Sequence, residues 1–342
     1  MAQNMKIIKI ILALNSSLLL AAISVVAQEK PALREIDRTR LAEAFRLSDQ
    51  LGDSLWTGWS KAPFAVLLVT PDKEFLIRHP QPSKDFTLIG HDTKLNSNVY
   101  YRDRKFATNL LATFPAVGGV STIVIGQAEN TDSKTSTPWV ITLMHEHFHQ
   151  LQDSQPNFFQ DTQALNLSRG DQTGMWMINY PFPYDSPPIS SQFAIMVRLL
   201  VEAIETKPQA AFNSKLSEYL AAREKLRQSL SADDYKYLSF QLWKEGIARY
   251  TEDRVARWAA TRYQPTPEFR KLPDFITFST AADQVRAGIV RELSTLKLED
   301  YKRVAFYPIG AAEGLLLDRS NPEWRNQYFA EKFDNWIYFK RN

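Results

Sequence analysis

No cysteine occurs anywhere in the 342 residues, so neither a disulfide nor a thiolate ligand is available, and a lipid-modified N-terminal cysteine is excluded. The chain must be held by its core, and any metal site has to draw on His, Asp and Glu. Histidine is scarce as well, with five in all. A surplus of charge is missing too: 41 basic residues stand against 38 acidic ones, a balance that gives nucleic acid and acidic membranes little to grip. There is no internal repeat and no low-complexity tract. What is present is enough apolar material, 44% hydrophobic and 12% aromatic, for a large packed core.

One long apolar run stands apart. Lys6 and Lys9 lead into Ile10 to Val26, and Val25-Val26-Ala27 ends it as a small-residue cleavage pattern. Residues 1–27 therefore read as a secretory signal peptide; the competing reading is an uncleaved anchor, against which Asn15, Ser16 and Ser17 interrupt the run. Cleavage after Ala27 leaves 39 basic against 38 acidic residues and predicts an exported protein, periplasmic or secreted, with no stable membrane association.

The fold class reads as α+β. In 28–136, apolar residues of Pro31 to Trp56 recur at mostly helical spacing, which predicts an amphipathic helix packed on a sheet. Short apolar or alternating runs follow at Phe64 to Thr70, Phe75 to Arg78, Asn98 to Arg102 and Ser121 to Ile125, separated by Pro, Gly, Asp and Asn, as in a small mixed sheet with an edge strand. In 137–342 the pattern turns helical, over Trp139 to Gln152, Gln192 to Thr206, Ala211 to Ser229 and Asp233 to Ala260. The stretch 155–191, rich in Pro, Gly and aromatics, is too long for a passive connection and is expected to cover a site.

The chemistry is concentrated in Thr137-Pro138-Trp139-Val140-Ile141-Thr142-Leu143-Met144-His145-Glu146-His147-Phe148-His149. Thr137 is suited to cap a helix and Pro138 to its first turn. On that helix His145 and His149 lie about 40° apart around the axis, while His147 points away. With Glu146 this is H-E-x-x-H: two imidazoles for zinc and a carboxylate as general base toward zinc-activated water. His147 is expected to be a packing or surface residue. A catalytic zinc needs a third protein ligand. Trp243-Lys244-Glu245-Gly246-Ile247-Ala248-Arg249-Tyr250-Thr251-Glu252 offers Glu245 for that place and Glu252 to accept the second ring N–H of a zinc-bound histidine. Gly246 would let this helix approach the first closely. Glu202 and Glu313 are rival ligands.

Together these segments resemble the gluzincin (peptidase-MA-like) zinc metallopeptidases, with local similarity to the aminopeptidase N type. H-E-x-x-H followed by Glu-Gly-x-Ala-x-Tyr-x-Glu matches the motif that supplies their third zinc ligand, here Glu245. Tyr307-Pro308-Ile309-Gly310 is similar to their Tyr-x-x-Gly segment, which implies Tyr307 as the transition-state stabiliser. Gly126-Gln127-Ala128-Glu129-Asn130 resembles their substrate motif, with Ala128 in place of methionine, and implies that Glu129 reads a substrate amino group. The 96 positions between His149 and Glu245 far exceed the spacing in aminopeptidase N, and that family's large N-terminal sheet domains are lacking. The expectation is a zinc-dependent hydrolase, a metallopeptidase on peptide or protein substrates, with His145, His149 and Glu245 on the metal and Glu146 and Tyr307 in catalysis. An extended substrate would lie along the strand at 121–126, taken as an edge. The alternatives are an inactive zinc-stabilised binding protein and a hydrolase of a non-peptide bond.

Overall fold

The computed structural model describes residues 30–340; the segment 1–27, read as a signal peptide, lies outside the described residues. The described residues from Pro31 onward form one compact unit. Its sheet comprises β1 (Val66–Val69), β2 (Lys73–Ile77), β3 (Thr87–Asp92), β4 (Ser97–Asp103), β5 (Leu111–Val117) and β6 (Val120–Gly126), in the order β3-β4-β2-β1-β6-β5. Neighbours are antiparallel except β1 and β6, so the sheet is mixed and the class is α+β. The four consecutive apolar residues of β1 follow from burial on both faces. Val66 and Leu68 join the main core with the helices, while Leu67 and Val69 join Leu76, Val117 and Val124 in a smaller cluster behind.

The strand at 121–126 is not the edge. β6 carries β1 on one side and β5 on the other, so the open edge belongs to β5. Pro115 and a bulge between Phe114 and Val117 mask β5 as a strand in the sequence, and an edge is where a strand tolerates a proline. Gly126 N–H donates to Leu110 C=O at 2.9 Å, which fixes the alternation: Ala112 and Phe114 exchange hydrogen bonds with β6. The backbone N–H and C=O of Leu111 and Thr113 consequently point outward from the sheet.

Helices α1 (Glu35–Leu51) and α2 (Ser136–Asp153) share the core of the inner sheet face. Almost every side chain of α2 is buried, which accounts for its apolar composition on all sides. Its N-terminus is not capped by Thr137, which lies within the first turn and donates to Ile276 C=O at 2.7 Å. Asp274 does the capping from a distant segment, accepting from Ser136 N–H at 3.0 Å.

The helical half contains Pro187–Glu205, Gln209–Ser229, Ala232–Gln241, Ile247–Arg262, Phe278–Thr295 and Phe306–Ser320. The last two gave no helical signal of their own in the sequence. The reading of 233–260 as one helix needs a correction, because a π-helical turn at Leu242–Gly246 interrupts it. Gly246 permits a close approach, but to a different helix from the one expected: a Cβ on it would lie 2.4 Å from Gly310 Cα, on Phe306–Ser320, not against α2. In 155–191, Phe158, Trp176, Tyr180 and Phe182 are buried in the core. Among the described residues no helix is long and apolar enough to cross a membrane.

Candidate metal centre

One turn apart on α2, His145 and His149 are both buried and bring their Nε2 atoms within 3.2 Å of each other. Each outer nitrogen is already engaged. His145 Nδ1–H donates to Glu252 Oε1 at 2.6 Å. His149 Nδ1–H donates to Gln152 Oε1 at 2.7 Å, and the amide of Gln152 is oriented by donating to Trp243 C=O at 3.2 Å, Lys244 C=O at 3.1 Å and the Tyr328 hydroxyl at 2.8 Å. If each ring carries its proton on Nδ1, both imidazoles offer an Nε2 lone pair to a cation between them.

The π-helical turn carries Glu245 to this pair, with Oε2 at 3.4 Å from His149 Nε2. Ligand atoms about 2.0–2.1 Å from a tetrahedral zinc stand about 3.3 Å from one another, so both the 3.2 Å and the 3.4 Å separations fit that ion. A second carboxylate competes on distance: His145, Glu146 and His149 offer ligand atoms that all lie within 4.8 Å of one another. Glu245 lies outside that group, 3.4 Å from His149, whereas Glu146 Oε1 stands 4.0 Å from His145 Nε2 and its Oε2 accepts a 2.7 Å hydrogen bond from the Thr113 hydroxyl. That distance suits a base acting on a water between, and Glu245 suits the ligand position. Thr113 belongs to β5 and went unnoticed in the sequence, as did Gln152; a search for an acceptor one turn beyond His149 would have found the latter.

Burial pushes the Glu245 carboxyl up, but His149, Arg303 and His145 outweigh it and hold the group well below the usual range. Burial pulls His145 down, while Glu252, Glu146 and Glu245 more than reverse this and raise it. Burial likewise pushes Glu252 up, yet Arg249 and His145 keep it lowered. Tyr307 stacks parallel to the His145 ring, centroids 6.4 Å apart. Its hydroxyl accepts from Arg303 Nη1 at 2.8 Å. Burial, then the Glu245 charge, drive its pKa far up against the pull of Arg303, so it stays a donor.

The other candidates lie elsewhere. Glu202 is paired at the surface with Arg198 and Lys215. Glu313 is buried away from the centre, accepting from Tyr219 at 2.7 Å and Arg223 at 2.5 Å. Glu129 is engaged by Arg34 at 2.6 Å and Arg40 at 3.2 Å, which occupies the carboxylate that the substrate-motif resemblance would leave free. His147 is a packing residue, stacked on Phe64 at 4.0 Å and pushed down to about 3 chiefly by burial. Compared with family models, curated proteins and solved structures, the chain has no match.

Proposed function

We propose that the chain is a zinc-dependent hydrolase, a metallopeptidase exported to the periplasm or the medium, with His145, His149 and Glu245 as its metal ligands. The observation that carries this reading is the approach of two imidazole Nε2 atoms to 3.2 Å with the Glu245 carboxylate 3.4 Å from one of them. A zinc ion held there supplies a Lewis acid that activates water near neutral pH and polarises a carbonyl.

The chain's own residues supply the rest. Glu146, held by the Thr113 hydroxyl, takes the proton from the attacking water and returns it to the leaving amine. Tyr307 donates to the oxygen on which negative charge develops, a contribution of the kind often worth roughly 3 kcal/mol. Glu252 and Gln152 fix the tautomer and tilt of the two imidazoles. The outward backbone groups of Leu111 and Thr113 pair with an extended peptide laid along β5, directly above Glu146. This edge supports a peptide substrate, because main-chain pairing has no counterpart in other hydrolysable bonds.

Two substitutions test the reading. Glu146→Gln should keep one zinc per chain and lose hydrolysis of a peptide library, whereas Glu245→Ala should lose the metal. Zinc retained by both variants means that residue 245 is not the third ligand. A wild-type chain that holds zinc and cleaves nothing leaves a zinc-stabilised binding protein.

A further inference from the structure

Arg303 is a charged residue at the centre to which the chemistry above gives no task. It sits in the 3-10 turn Lys302–Ala305, one helical turn before Tyr307. Its Nη1 donates to the Tyr307 hydroxyl at 2.8 Å, and its guanidinium carbon lies 5.3 Å from that ring's centroid. The carboxylate nearest to it is Glu245, whose Oε1 is 3.7 Å away, beyond hydrogen-bonding distance. The side chain keeps 22% of its surface open to solvent. Its other close polar neighbours are the phenols of Tyr184 and Tyr237, which carry no charge to offset it.

The pairing of the neighbouring charges sets this cation apart. A zinc dication is neutralised by Glu245 and Glu146. Glu252 is answered by Arg249, which also meets Glu292 at 2.8 Å, and Asp153 is answered by Lys244 at 2.7 Å. Arg303 has no carboxylate within hydrogen-bonding distance, so its guanidinium keeps donors free beside the attacked bond. A guanidinium with unused donors recognises a planar carboxylate by paired hydrogen bonds better than any other group that a peptide offers.

We propose that Arg303 docks a substrate carboxylate next to the scissile bond, so that the preferred peptides carry a free C-terminus or an acidic side chain within a residue or two of the cleavage point. This rests on the metallopeptidase reading. It gives Arg303 a role in specificity in addition to its contact with Tyr307.

The test is a binding measurement on the zinc-loaded Glu146→Gln chain, in which turnover is blocked. Three N-acetylated pentapeptides are titrated by calorimetry: a free acid, its C-terminal amide, and an amide with one internal glutamate. One or both carboxylate-bearing peptides should bind roughly ten- to a hundredfold more tightly than the neutral amide, and which one does so identifies the source of the carboxylate. Adding Arg303→Gln should erase the difference, while Arg303→Lys should retain part of it, with zinc content and thermal midpoint confirming that each variant is intact. Equal binding of all three peptides overturns the proposal. So does a preference that survives Arg303→Gln, because the carboxylate then sits on the metal itself. If the binding preference appears as expected but the wild-type chain hydrolyses none of the three peptides, the docking site stands and the hydrolase reading falls.

Discussion

Thr113 shows what a single side chain adds to the centre. The buried Glu146 carboxylate is held by the 2.7 Å hydrogen bond from the Thr113 hydroxyl, with its Oε1 4.0 Å from His145 Nε2. Thr113→Val preserves volume and removes the donor. It is expected to leave zinc stoichiometry unchanged and to lower kcat roughly tenfold or more, since a misdirected base loses part of the general-base contribution. An unchanged kcat would mean that Glu146 is aimed by another group. The convergence of His145, Glu146, His149 and Glu245 was legible in the sequence because their spacing on a helix, or a short local motif, carries the information. Thr113 and Arg303 were not. The first reaches its partner across 33 positions, and the second has no pattern that separates it from any surface arginine.

At the scale of elements, Glu245 is positioned by a crossing of two helices. Gly246 and Gly310 face each other so closely that a Cβ on Gly310 would lie 2.5 Å from Gly246 Cα and 2.6 Å from Leu242 C=O. Both obstacles are backbone, so Gly310→Ala must push the helices apart. The expected cost is about 1–3 kcal/mol of stability, read as a lowered thermal midpoint, together with weaker zinc binding because Glu245 adjoins the displaced residue. Gly288→Ala is the control: its Cβ would meet nothing nearer than an Arg249 side-chain atom at 3.5 Å, and zinc affinity should hold. Equal zinc affinity in both variants would detach the glycine crossing from the metal site. These glycines also explain why Phe306–Ser320 was silent as a helix in the sequence, since Gly310, Gly314 and Pro308 lower local helix propensity and only packing against Gly246 and Tyr250 justifies them. The π-helical turn was equally hidden, because nothing in Leu242-Trp243-Lys244-Glu245-Gly246 marks a local change of helical period.

For the whole molecule, the α+β class was legible because apolar periodicity changes near Pro138 from strand-like to helical, and that change is a property of composition. The joining of distant parts was not, since only tertiary contact brings β5, α2, the π-helical turn and the helix after Arg303 to one point. A metal bound at that point would tie these elements together further, so its removal should loosen them selectively. If zinc binds the native chain and not the unfolded one, stabilisation grows with concentration, reaching about 2.7 kcal/mol at a free zinc level one hundred times the dissociation constant. The thermal midpoint should therefore rise with added zinc in the wild type, fall on chelation, and stay fixed in Glu245→Ala. Hydrogen exchange locates the effect: chelation should expose amides of Leu242–Gly246 and the His145 to His149 turn, while β3 and β4 at the far edge remain protected. Uniform deprotection would instead assign the metal a general structural role. A zinc-independent midpoint in the wild type would sink the site, since the two imidazoles and the Glu245 carboxylate would then be held together by a proton alone.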